Sequence, residues 1–530
     1  MRKVVKIPYS KTNYFSKIAL DYLSQSEEVK PFYHFFPNQE NFKKQLEQKQ
    51  NFSKENRKVL VKELKQQYSK IVTSQKTEAN ISSLLSDKTF TVTTGHQLNL
   101  FTGPLYFLYK IFSTINLTES LKKENPDFNF VPIYWMATED HDFEEINYFN
   151  FKGKKLQWNR KAKGAVGRLD TKGLDKVYTE FTVLLETSKN ADYLKNLFRK
   201  SYLEHTNLSD ATRFLANELF KEYGLVIIDA DNRDLKSIFS PFMEDEIKNQ
   251  TSFKSITKTI QDLKKNHKIQ VNPRELNLFY LEDNLRERII LENGTYKINN
   301  TDISFTQEEI LKELENFPEK FSPNVVMRPL YQEVILPNLA YIGGGGELAY
   351  WLELQNYFNT VKVSFPILVL RNSVLLMTKK QYQKAEKLKL DVADLFLEQV
   401  KLIQKKVREF SNLNLDFSPQ KAFLHIQFEA LKEIAEQTDK SFIGAVLAQE
   451  KKQLKGIENL EKRLLKAEKR KHKDLVNRIA LLQDSLFPNG SLQERQVNFS
   501  EFYLEFGAEL FKELKLTLDP LDFNFTILIL

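Results

Sequence analysis

An acid-rich segment, residues 139–145, carries the densest set of side chains that could do chemistry. It holds five carboxylates and one histidine in seven positions. Like charges this close repel, so some must be protonated or must meet a metal ion, a substrate ammonium or a basic side chain such as Arg328 or Arg371. A solvated helix start rich in acid is the alternative. A proton-accepting site is the hypothesis we carry forward, and its candidate catalytic residues are Glu139, Asp140, His141 and Asp142.

A glycine-bearing turn, Thr94–Gln97, precedes that segment. It follows a β-rich stretch and leads towards a helix, whose N-terminal amides could hold an anion such as phosphate. Its spacing is neither that of a P-loop nor that of a dinucleotide-binding fingerprint. The alternative is a turn glycine beside an ordinary helix cap. The crowding of His96, Gln97, Asn99 and Thr102 favours a binding loop.

Four consecutive glycines stand at residues 343–346, directly before an apolar helical stretch. Without side chains, such a run lets the backbone approach a ligand closely. A flexible hinge between domains is the alternative. The preceding segment, Arg328–Glu333, adds charged and polar side chains that could reach the same ligand.

The elements that must position these residues form an α/β pattern. Residues 89–94 are β-rich, a helix with one apolar face runs from Pro104 to about Lys123, and residues 130–136 are a near-continuous apolar run. Two strands joined by a helix should be parallel, with a right-handed crossover. The apolar runs 224–229 and 365–371 fit the same sheet, and the residues at about 143–220 and 236–320 are predicted to be insertions.

In an open parallel sheet, ligands bind beyond the carboxyl ends of the strands, near the point where the strand order reverses. Polar clusters follow all four predicted strands: Gly95–Gln97, Glu139–Asp142, Asp229–Asp231 and Arg371. The pattern therefore predicts one site along one edge of the sheet.

Beyond Arg371 the chain is predicted to be helical. Residues 377–410 are predicted to be one long helix, and residues 443–486 the longest one. In the latter, leucines and isoleucines at a 3–4 spacing indicate an antiparallel hairpin or coiled coil. We divide the chain into a core (1–375), an α-helical coiled-coil domain (376–487) and a segment that returns to the core (488–530).

The composition excludes several classes of protein. A chain of 530 residues is too long for one core, and its zero cysteines rule out disulfides and cysteine-ligated zinc. No apolar run has the length of a signal peptide or a membrane span, so we expect a soluble cytoplasmic protein. The basic run 466–473 could bind nucleic acid or a membrane surface, but interleaved glutamates favour a solvated helix face. We expect neither partner, and the motifs of hydrolases are absent.

The polar segments also match a family pattern. The chain resembles the bacillithiol biosynthesis cysteine-adding enzymes from about Phe15 to Tyr503. The matching segments are Thr94–Gln97 with Leu100–Tyr106 and Tyr109–Lys110, Trp135–Asn147, Arg328–Glu333, Tyr341–Glu347 and Leu486–Arg495. The chain departs from the pattern at His96, where glutamine is expected more often, and at Gly345, where proline is expected.

The resemblance implies a Rossmann-like, doubly wound parallel core with two connecting-peptide insertions. It also implies an α-helical coiled-coil domain that promotes homodimer formation. The implied reaction joins the carboxylate of cysteine to the amine of glucosaminyl-malate and is the last step in making the thiol bacillithiol.

That reaction assigns hypothetical roles to the polar residues. A free carboxylate needs activation, most simply by ATP through an acyl-adenylate or acyl-phosphate. Mg²⁺ is a possible companion of ATP. We predict no metal site formed by protein residues alone. Either His141 or Asp140 would remove the amine proton, and Arg328 and Arg371 would pair with the malate carboxylates. The predicted ATP-binding residues are Thr94, Gly95, His96, Gln97, Gly343, Gly344 and Gly346. The predicted substrate-binding residues are Gly103, Tyr106, Lys110, Arg328, Tyr331, Gln332, Glu333 and Arg371.

Two other functions remain open at this point. A nucleotidyltransferase or adenylate-forming enzyme could use a different amino-sugar or amino-acid substrate. A non-catalytic coiled-coil scaffold or nucleic-acid binder would instead depend on Lys469 and Arg470, and would tolerate changes at Gly95 and Asp140.

Overall fold

The computed structural model describes residues 3–530. The chain opens with a strand and four helices, of which α2, α3 and α4 contact strands of the central sheet. Each of these three helices begins after an asparagine or serine whose side chain accepts a hydrogen bond from a backbone N–H of the first turn. The elements are β1 (Lys3–Pro8), α1 (Lys17–Leu23), α2 (Gln39–Lys49), α3 (Lys54–Tyr68) and α4 (Gln75–Ser83).

The predicted strand–helix–strand unit is confirmed. Strand β2 spans Thr89–His96, helix α5 spans Tyr106–Glu124 and strand β3 spans Asn129–Met136. All of β2 and all but the first residue of β3 are buried, as expected of strands covered on both faces. The two strands pair in parallel, with His96 opposite Met136 at their carboxyl ends.

A long connection leads from β3 to the third strand of the sheet. It contains a two-stranded hairpin and three helices of eleven or more residues. Its elements are α6 (Phe143–Ile146), β4 (Tyr148–Phe151), β5 (Lys154–Gln157), α7 (Leu174–Leu184), α8 (Lys189–Leu203) and α9 (Leu208–Phe220), and the third strand is β6 (Val226–Asp229).

A second long connection follows β6 and carries its own antiparallel sheet. The strand order of this sheet is β10-β9-β8-β7-β11. The elements are α10 (Arg233–Asn249), α11 (Thr251–Leu263), β7 (Leu278–Glu282), β8 (Leu285–Glu292), β9 (Thr295–Ile298), β10 (Ser304–Phe305), α12 (Gln307–Asn316) and β11 (Phe321–Pro323).

The chain then returns to the central sheet and completes it. The remaining core elements are α13 (Arg328–Ile335), β12 (Asn338–Gly343), α14 (Gly345–Trp351), α15 (Gln355–Thr360) and β13 (Ile367–Leu370). The central sheet is parallel throughout, in the order β13-β12-β2-β3-β6. The chain first runs outward from β2 to β6 and later adds β12 on the other side of β2. The strand order therefore reverses between β2 and β12, as in doubly wound folds.

The register confirms that the four predicted polar clusters share one edge. His96, Met136 and Asp229 lie opposite one another at the ends of β2, β3 and β6. Gly343 and Leu370 lie opposite one another at the ends of β12 and β13. Because parallel strands end at the same edge, residues more than 250 positions apart are brought together there.

After β13, the prediction of one long helix over residues 377–410 is wrong. Thr378 begins a short helix with a capping box, and Lys389, with a φ of 51°, lies in the left-handed region just after that helix ends. A long hairpin of α18 and α19 follows. The elements are β14 (Val374–Met377), α16 (Lys379–Lys387), α17 (Gln399–Phe410), α18 (Ser418–Ala435), α19 (Lys440–Lys471) and α20 (Lys473–Leu486).

The last segment packs against the core. It consists of α21 (Phe499–Phe506), α22 (Glu509–Thr517) and β15 (Asn524–Ile529). Strand β15 pairs antiparallel with β1 and parallel with β14, so the two ends of the described chain meet in one three-stranded sheet. Within residues 3–530, every helix is too short or too polar to span a bilayer.

Candidate active site

A cavity of about 1010 Å³ opens at the carboxyl edge of the central sheet. It lies where the strand order reverses, which is the usual ligand position in this architecture. The loops after β2, β3, β12 and β13 form its floor, and parts of the second insertion form a side wall. Thirteen of the predicted site residues line it: Gly95, His96, Gln97, Tyr106, Lys110, Glu139, Asp140, His141, Asp142, Arg328, Gly344, Gly346 and Arg371.

Three predicted substrate contacts lie in the core behind the cavity and do not line it. Tyr331 is fully buried, and its hydroxyl donates to the carbonyl of Ala230 at 2.8 Å. Glu333 forms a buried ion pair with Lys49, at 2.9 Å, and accepts from the amide of Asn338. Since Asn338 begins β12, this pair lies near the opposite edge of the sheet from the cavity. Helix α13 therefore presents Arg328 to the cavity and buries the rest of the predicted motif.

The side chain of Gln332 forms hydrogen bonds with two neighbouring charged residues. Its amide donates to Glu333 at 3.0 Å, and its carbonyl oxygen accepts from Arg328 at 3.1 Å. Its predicted contact with substrate is therefore replaced by a positioning contact with Arg328.

Three residues predicted from the loops also lie off the cavity. The Thr94 hydroxyl donates to the carbonyl of Ile342 at 2.8 Å and so ties β2 to β12. Gly103 has a φ of +61°, and an added Cβ would lie 2.6 Å from the Cβ of Asn99. An added Cβ on Gly343 would lie 2.9 Å from the Cβ of Glu347. The two glycines are thus required by packing.

The acids at 139–142 line one side of the cavity, and a buried charge network lies behind them; we call these acids and the network together the acidic wall. The Lys236 ammonium, fully buried, contacts Glu139 at 2.7 Å and Asp231 at 2.9 Å. Arg168 also contacts Asp231, at 2.7 Å. Burial opposes ionisation of Asp231, but the two cations outweigh it and lower its pKa to about 2. Burial raises the pKa of Glu139, and Lys236 offsets only part of that shift.

The cations that balance the acidic wall differ from those predicted. We expected Arg328 or Arg371, but the nearest cations are Lys236, Arg168 and Arg286. Lys236 is on α10, and Arg286 is on β8 of the second insertion. The prediction was wrong because Arg328 lies between the rings of Trp135 and Tyr341 and Arg371 pairs with Glu494, whereas Lys236 lies in direct contact with Glu139.

The histidine of the acidic wall has a defined tautomer. Arg286 donates from Nη1 to Nδ1 of His141 at 2.5 Å. A guanidinium is only a donor, so Nδ1 must be an acceptor and the proton of the neutral ring lies on Nε2. In this arrangement neither ring nitrogen has a free lone pair with which to accept a proton. The hypothesis that His141 is the general base is therefore weakened.

Gln97 holds two carboxylates together. Its amide nitrogen donates to Asp140 and to Glu145, each at 2.9 Å. The other oxygen of Asp140 accepts from the backbone N–H of His141 at 2.7 Å. These bonds fix the position of Asp140 at the cavity surface. Gln97, predicted as an ATP contact, thus has its amide protons directed towards the acids.

The opposite wall, which we call the basic wall, contains the arginine with a free donor. Arg328 lies between the rings of Trp135 and Tyr341, 5.7 Å and 5.6 Å from their centroids. Its Nη1 donates to Gln332, whereas its Nη2 has no hydrogen-bond partner anywhere in residues 3–530. A buried donor without a partner costs about 1–3 kcal/mol, so a ligand oxygen that reached this nitrogen would recover that free energy.

Arg371 belongs to the same wall but is largely occupied. Its Nη2 contacts Glu494 at 2.7 Å, and its Nη1 donates to the carbonyl of Asn372 at 3.0 Å. Both charged side chains are almost completely buried. Among the described residues only its Nε lacks a partner. The pairing of Arg371 with a substrate carboxylate stays a prediction, and Glu494 already takes one arm of the guanidinium.

Lys110 and Glu347 connect the two segments that flank the reversal point. The Lys110 ammonium donates to the Gly95 carbonyl at 2.7 Å and contacts Glu347 at 2.6 Å. Glu347 also accepts from the Tyr341 hydroxyl at 2.6 Å and from the Gly344 N–H at 2.8 Å. Burial opposes ionisation of Glu347, but Lys110 and these donors outweigh it and lower its pKa.

His96 cannot supply positive charge to a ligand. Its ring is buried against Tyr106 and Phe107. Burial, with help from nearby Lys110, lowers its pKa to about 3. The ring is therefore neutral at physiological pH and acts only through hydrogen bonds and packing.

The turn Thr94–Gln97 and the glycine run 343–346 were both predicted to bind phosphate through backbone N–H groups. Some of the N–H groups near them already donate hydrogen bonds within the protein. Helix α5 begins ten residues after His96, and the Leu105 N–H just before it donates to the carbonyl of Val497 at 2.8 Å. At the glycine run, the Gly344 N–H donates to Glu347. The cationic side chains that line the basic side of the cavity, and that an anion would meet instead, are Arg328, Arg371 and Arg495.

A strap without helix or strand, residues 264–277, forms one side of the cavity. Gln270, Val271, Asn272 and Arg274 line the cavity from this strap. The fully buried Glu353 accepts from the Gln270 N–H at 2.7 Å and holds the strap from behind. Burial raises the pKa of Glu353 to about 7, and the backbone N–H groups of Gln270 and Val271 offset only part of that shift.

Several residues that line the cavity or lie behind its acidic wall were not anticipated from the sequence. Lys236 could have been found, since it lies between Leu235 and Phe239 on the buried face of an amphipathic helix, where a lysine needs a partner. The sequence offers no comparable signal for Arg286, Arg274 or Arg495. Their positions depend on how the insertion and the C-terminal segment fold back onto the cavity.

Comparison with known proteins gives a consistent result along the whole chain. Residues 2–372 match the family model described as "Bacillithiol biosynthesis BshC, N-terminal Rossmann-like domain", and residues 374–530 match "Bacillithiol biosynthesis BshC, C-terminal coiled-coil domain". A protein of Flavobacterium johnsoniae named "Putative cysteine ligase BshC" is 59% identical over 98% of this chain and 99% of its own length. Proteins of the same name from Christiangramia forsetii and Cytophaga hutchinsonii are 58% and 40% identical, each over 98% of both chains.

Proposed function

This chain belongs to the bacillithiol biosynthesis BshC family, and from that premise we propose that it is a cysteine ligase. In the proposed reaction, the carboxylate of cysteine forms an amide with the amine of glucosaminyl-malate, and the product is bacillithiol. We propose that this takes place in the cytoplasm.

The observation that carries the proposal is the pair of opposed walls around one cavity. The acidic wall offers Asp140 and Asp142 to a cationic group, and the basic wall offers the free Nη2 of Arg328 to an anionic one. Glucosaminyl-malate bears both an amine and carboxylates. Its ends would therefore be oriented by charge between the two walls.

The proposed positions lead to a sequence of proton and charge movements. The substrate ammonium binds beside Asp140, which accepts its proton and frees the lone pair of the amine. The amine then attacks the activated carboxyl carbon of cysteine, and the leaving group departs as the amide forms. Arg328 holds a malate carboxylate through Nη2 while Gln332 fixes the other arm of the guanidinium.

The proposal includes ATP, with Mg²⁺ as a possible companion. ATP supplies the leaving group that a free carboxylate lacks. Because Arg328 is assigned to the malate carboxylate, the residues that fit the anionic part of ATP are Arg371, through its Nε, and the exposed Arg495 at the cavity. Asp140 and Asp142 are the carboxylates that would hold Mg²⁺ at this cavity, since each oxygen of Asp140 keeps a lone pair beyond the hydrogen bonds that it accepts.

The proposal also includes a homodimer formed through the α18–α19 hairpin. Large apolar side chains are exposed on it, among them Phe423, Ile426 and Ile434, which are 63%, 66% and 56% exposed. Exposed apolar groups in such number on one hairpin favour burial against a second copy. Sedimentation of Phe423→Glu and Ile426→Glu variants tests this: we expect monomers, and an unchanged sedimentation coefficient would argue against this interface.

The ligase proposal is tested by mass spectrometry of reaction mixtures. Purified protein is incubated with cysteine and glucosaminyl-malate, with and without ATP and Mg²⁺. We expect the amide only when ATP is present. Amide formation without nucleotide would remove ATP from the proposal, and adenylated cysteine without amide would favour a nucleotidyltransferase. If neither product formed under any condition, the ligase proposal would fail.

A further inference from the structure

Three side chains from separate parts of the chain converge behind the strap. Asp21 lies on α1, Glu28 follows that helix, and His267 lies on the strap. The Nε2 atom of His267 is 3.7 Å from Oδ2 of Asp21 and 3.7 Å from Oε2 of Glu28. One ligand atom from each residue lies within 4.8 Å of the other two.

The imidazole of His267 is buried, and no hydrogen bond within the described residues explains its position. Its side chain is 1% exposed, and neither ring nitrogen has a hydrogen-bond partner in the described part of the chain. Leaving buried polar groups unpaired costs about 1–3 kcal/mol each, and an unpaired group in a folded protein often marks the place of an ion. Nε2 points at two carboxylates but is too far away to donate to either.

Positive charge is already favoured between the two carboxylates. The ammonium of Lys17 lies 2.7 Å from Oδ2 of Asp21 and 2.7 Å from Oε2 of Glu28, the same two oxygens that face His267. The Lys17 side chain is 60% exposed and can leave without opening the core. The Glu28 side chain is 43% exposed, so an ion can reach the site from solvent.

We propose that Asp21, Glu28 and His267 bind a divalent transition-metal ion of the Zn²⁺ type. The ion would replace the Lys17 ammonium, take one oxygen from each carboxylate and bond to Nε2 of His267. One imidazole and two carboxylates are suitable zinc ligands, with a water as the fourth. Tetrahedral bonds of about 2.1 Å separate ligand atoms by roughly 3.4 Å, so the observed 3.7 Å spacing requires only a small contraction.

Two other clusters of this kind occur among the described residues, and they lack the decisive feature. In the first, Nδ1 of His141 accepts from Arg286. In the second, His425 contacts Glu450 at 2.7 Å, and that carboxylate also contacts Lys432 at 2.8 Å. Among the residues that the structure describes, only His267 has a buried imidazole that faces two carboxylates without a partner of its own.

The ion would fasten the strap to helix α1. Residues 270–272 and 274 of the strap line the cavity, and His267 precedes the first of them by only three positions. Bound metal would therefore stabilise the cavity wall from outside the site. This inference concerns a structural ion and does not depend on the proposed ligase reaction.

Metal binding to the full-length protein provides the test. Metal-free wild type is titrated with Zn²⁺ in the presence of excess Mg²⁺, and bound zinc is counted after equilibrium dialysis. Parallel titration with Co²⁺ reports the coordination geometry from its visible absorption. We expect one ion per chain and a tetrahedral Co²⁺ spectrum.

Substitutions at the site should change the affinity for Zn²⁺ in opposite directions. His267→Ala should weaken Zn²⁺ binding at least about 100-fold, since one of three protein ligands is lost. Lys17→Met should tighten it about 10-fold, because a competing cation is removed and no ligand is changed. His425→Ala is the matched control and should bind as wild type does.

Two results would overturn the proposal. One is the absence of Zn²⁺ binding by both the wild type and Lys17→Met. The other is Zn²⁺ binding that His267→Ala leaves unchanged. If His267→Ala fails to fold, Asp21→Asn is used for the same comparison, and the Lys17→Met result stands independently.

Discussion

The buried charged side chains of the two cavity walls differ in how far the protein itself supplies their partners. The acidic wall is neutralised from within: Lys236 contacts both Glu139 and Asp231, and Gln97 bridges Asp140 and Glu145. The basic wall is left incomplete, since Arg328 keeps one nitrogen without a partner. The first wall is thus stable as it stands, whereas the second requires an anion to complete it.

This difference separates residues that shape the site from residues that bind. Removal of a cation from the acidic wall leaves buried carboxylates unpaired and should cost stability. Removal of Arg328 leaves no unpaired charge in the protein and should cost activity. The predictions below test this division, beginning with the largest expected effect.

Lys236→Met should destabilise the protein by about 3–5 kcal/mol, because Glu139 and Asp231 would lose their shared buried cation. The free energy of unfolding is measured by urea denaturation. Lys248→Met on the same helix is the control, since its pair with Glu244 is exposed and should contribute less than about 0.5 kcal/mol. A loss below about 1 kcal/mol for Lys236→Met would show that the acidic wall is not held as described.

Arg328→Met should lower kcat/KM by about 100-fold to 1000-fold with little change in the free energy of unfolding. Arg328→Lys keeps the charge but loses the planar fork, and should retain part of the activity. Arg274→Met, at the exposed rim of the same cavity, is the control and should have an effect below about fivefold. Equal effects at the two positions would contradict the special role of the free Nη2.

Asp140→Asn should lower kcat by about 100-fold if this carboxylate accepts the amine proton. His141→Gln should lower it by less than about 10-fold, because Arg286 already occupies Nδ1. Both variants are compared in the ligase assay at saturating substrate. The reverse order of effects would assign the proton transfer to His141 and would require Arg286 to move away during the reaction.

His96→Gln should change the pH dependence of stability. Because burial lowers the pKa of His96 to about 3, the unfolded chain binds a proton below about pH 6.5 that the folded protein does not. Wild type should therefore lose about 1.4 kcal/mol per pH unit below 6.5 from this group, and the variant should not.

The unfolding free energies of wild type and His96→Gln are compared at pH 7.0 and 5.5, with pH 8.5 as the reference at which the ring is neutral in both states. A difference between the proteins that stays the same from pH 7.0 to 5.5 would mean that the buried ring can be protonated. Activity at pH 7.5 should be nearly unchanged, since a neutral amide replaces a neutral ring.

Much of the fold and part of the site could be predicted from local patterns. The strand–helix–strand unit around α5 was visible because burial on both faces produces continuous apolar runs, and a helix produces a 3.6-residue period. The predicted helix over residues 377–410 failed because its apolar spacing continued across a turn at Lys389, whose left-handed backbone no periodicity reveals. The motif Arg328–Glu333 was read as one binding unit, although a helix turns successive side chains to different surroundings.

By itself, the sequence determined which residues would reach the carboxyl edge of the sheet. Parallel strands end together, so polar residues after each apolar run must share that edge whatever the intervening loops do. The tertiary structure decided which charges meet there. Lys236, Arg286 and Glu494 come from three separate parts of the chain, and each selects its partner by proximity and burial. Electrostatic pairing depends on distance in space, which no local pattern encodes.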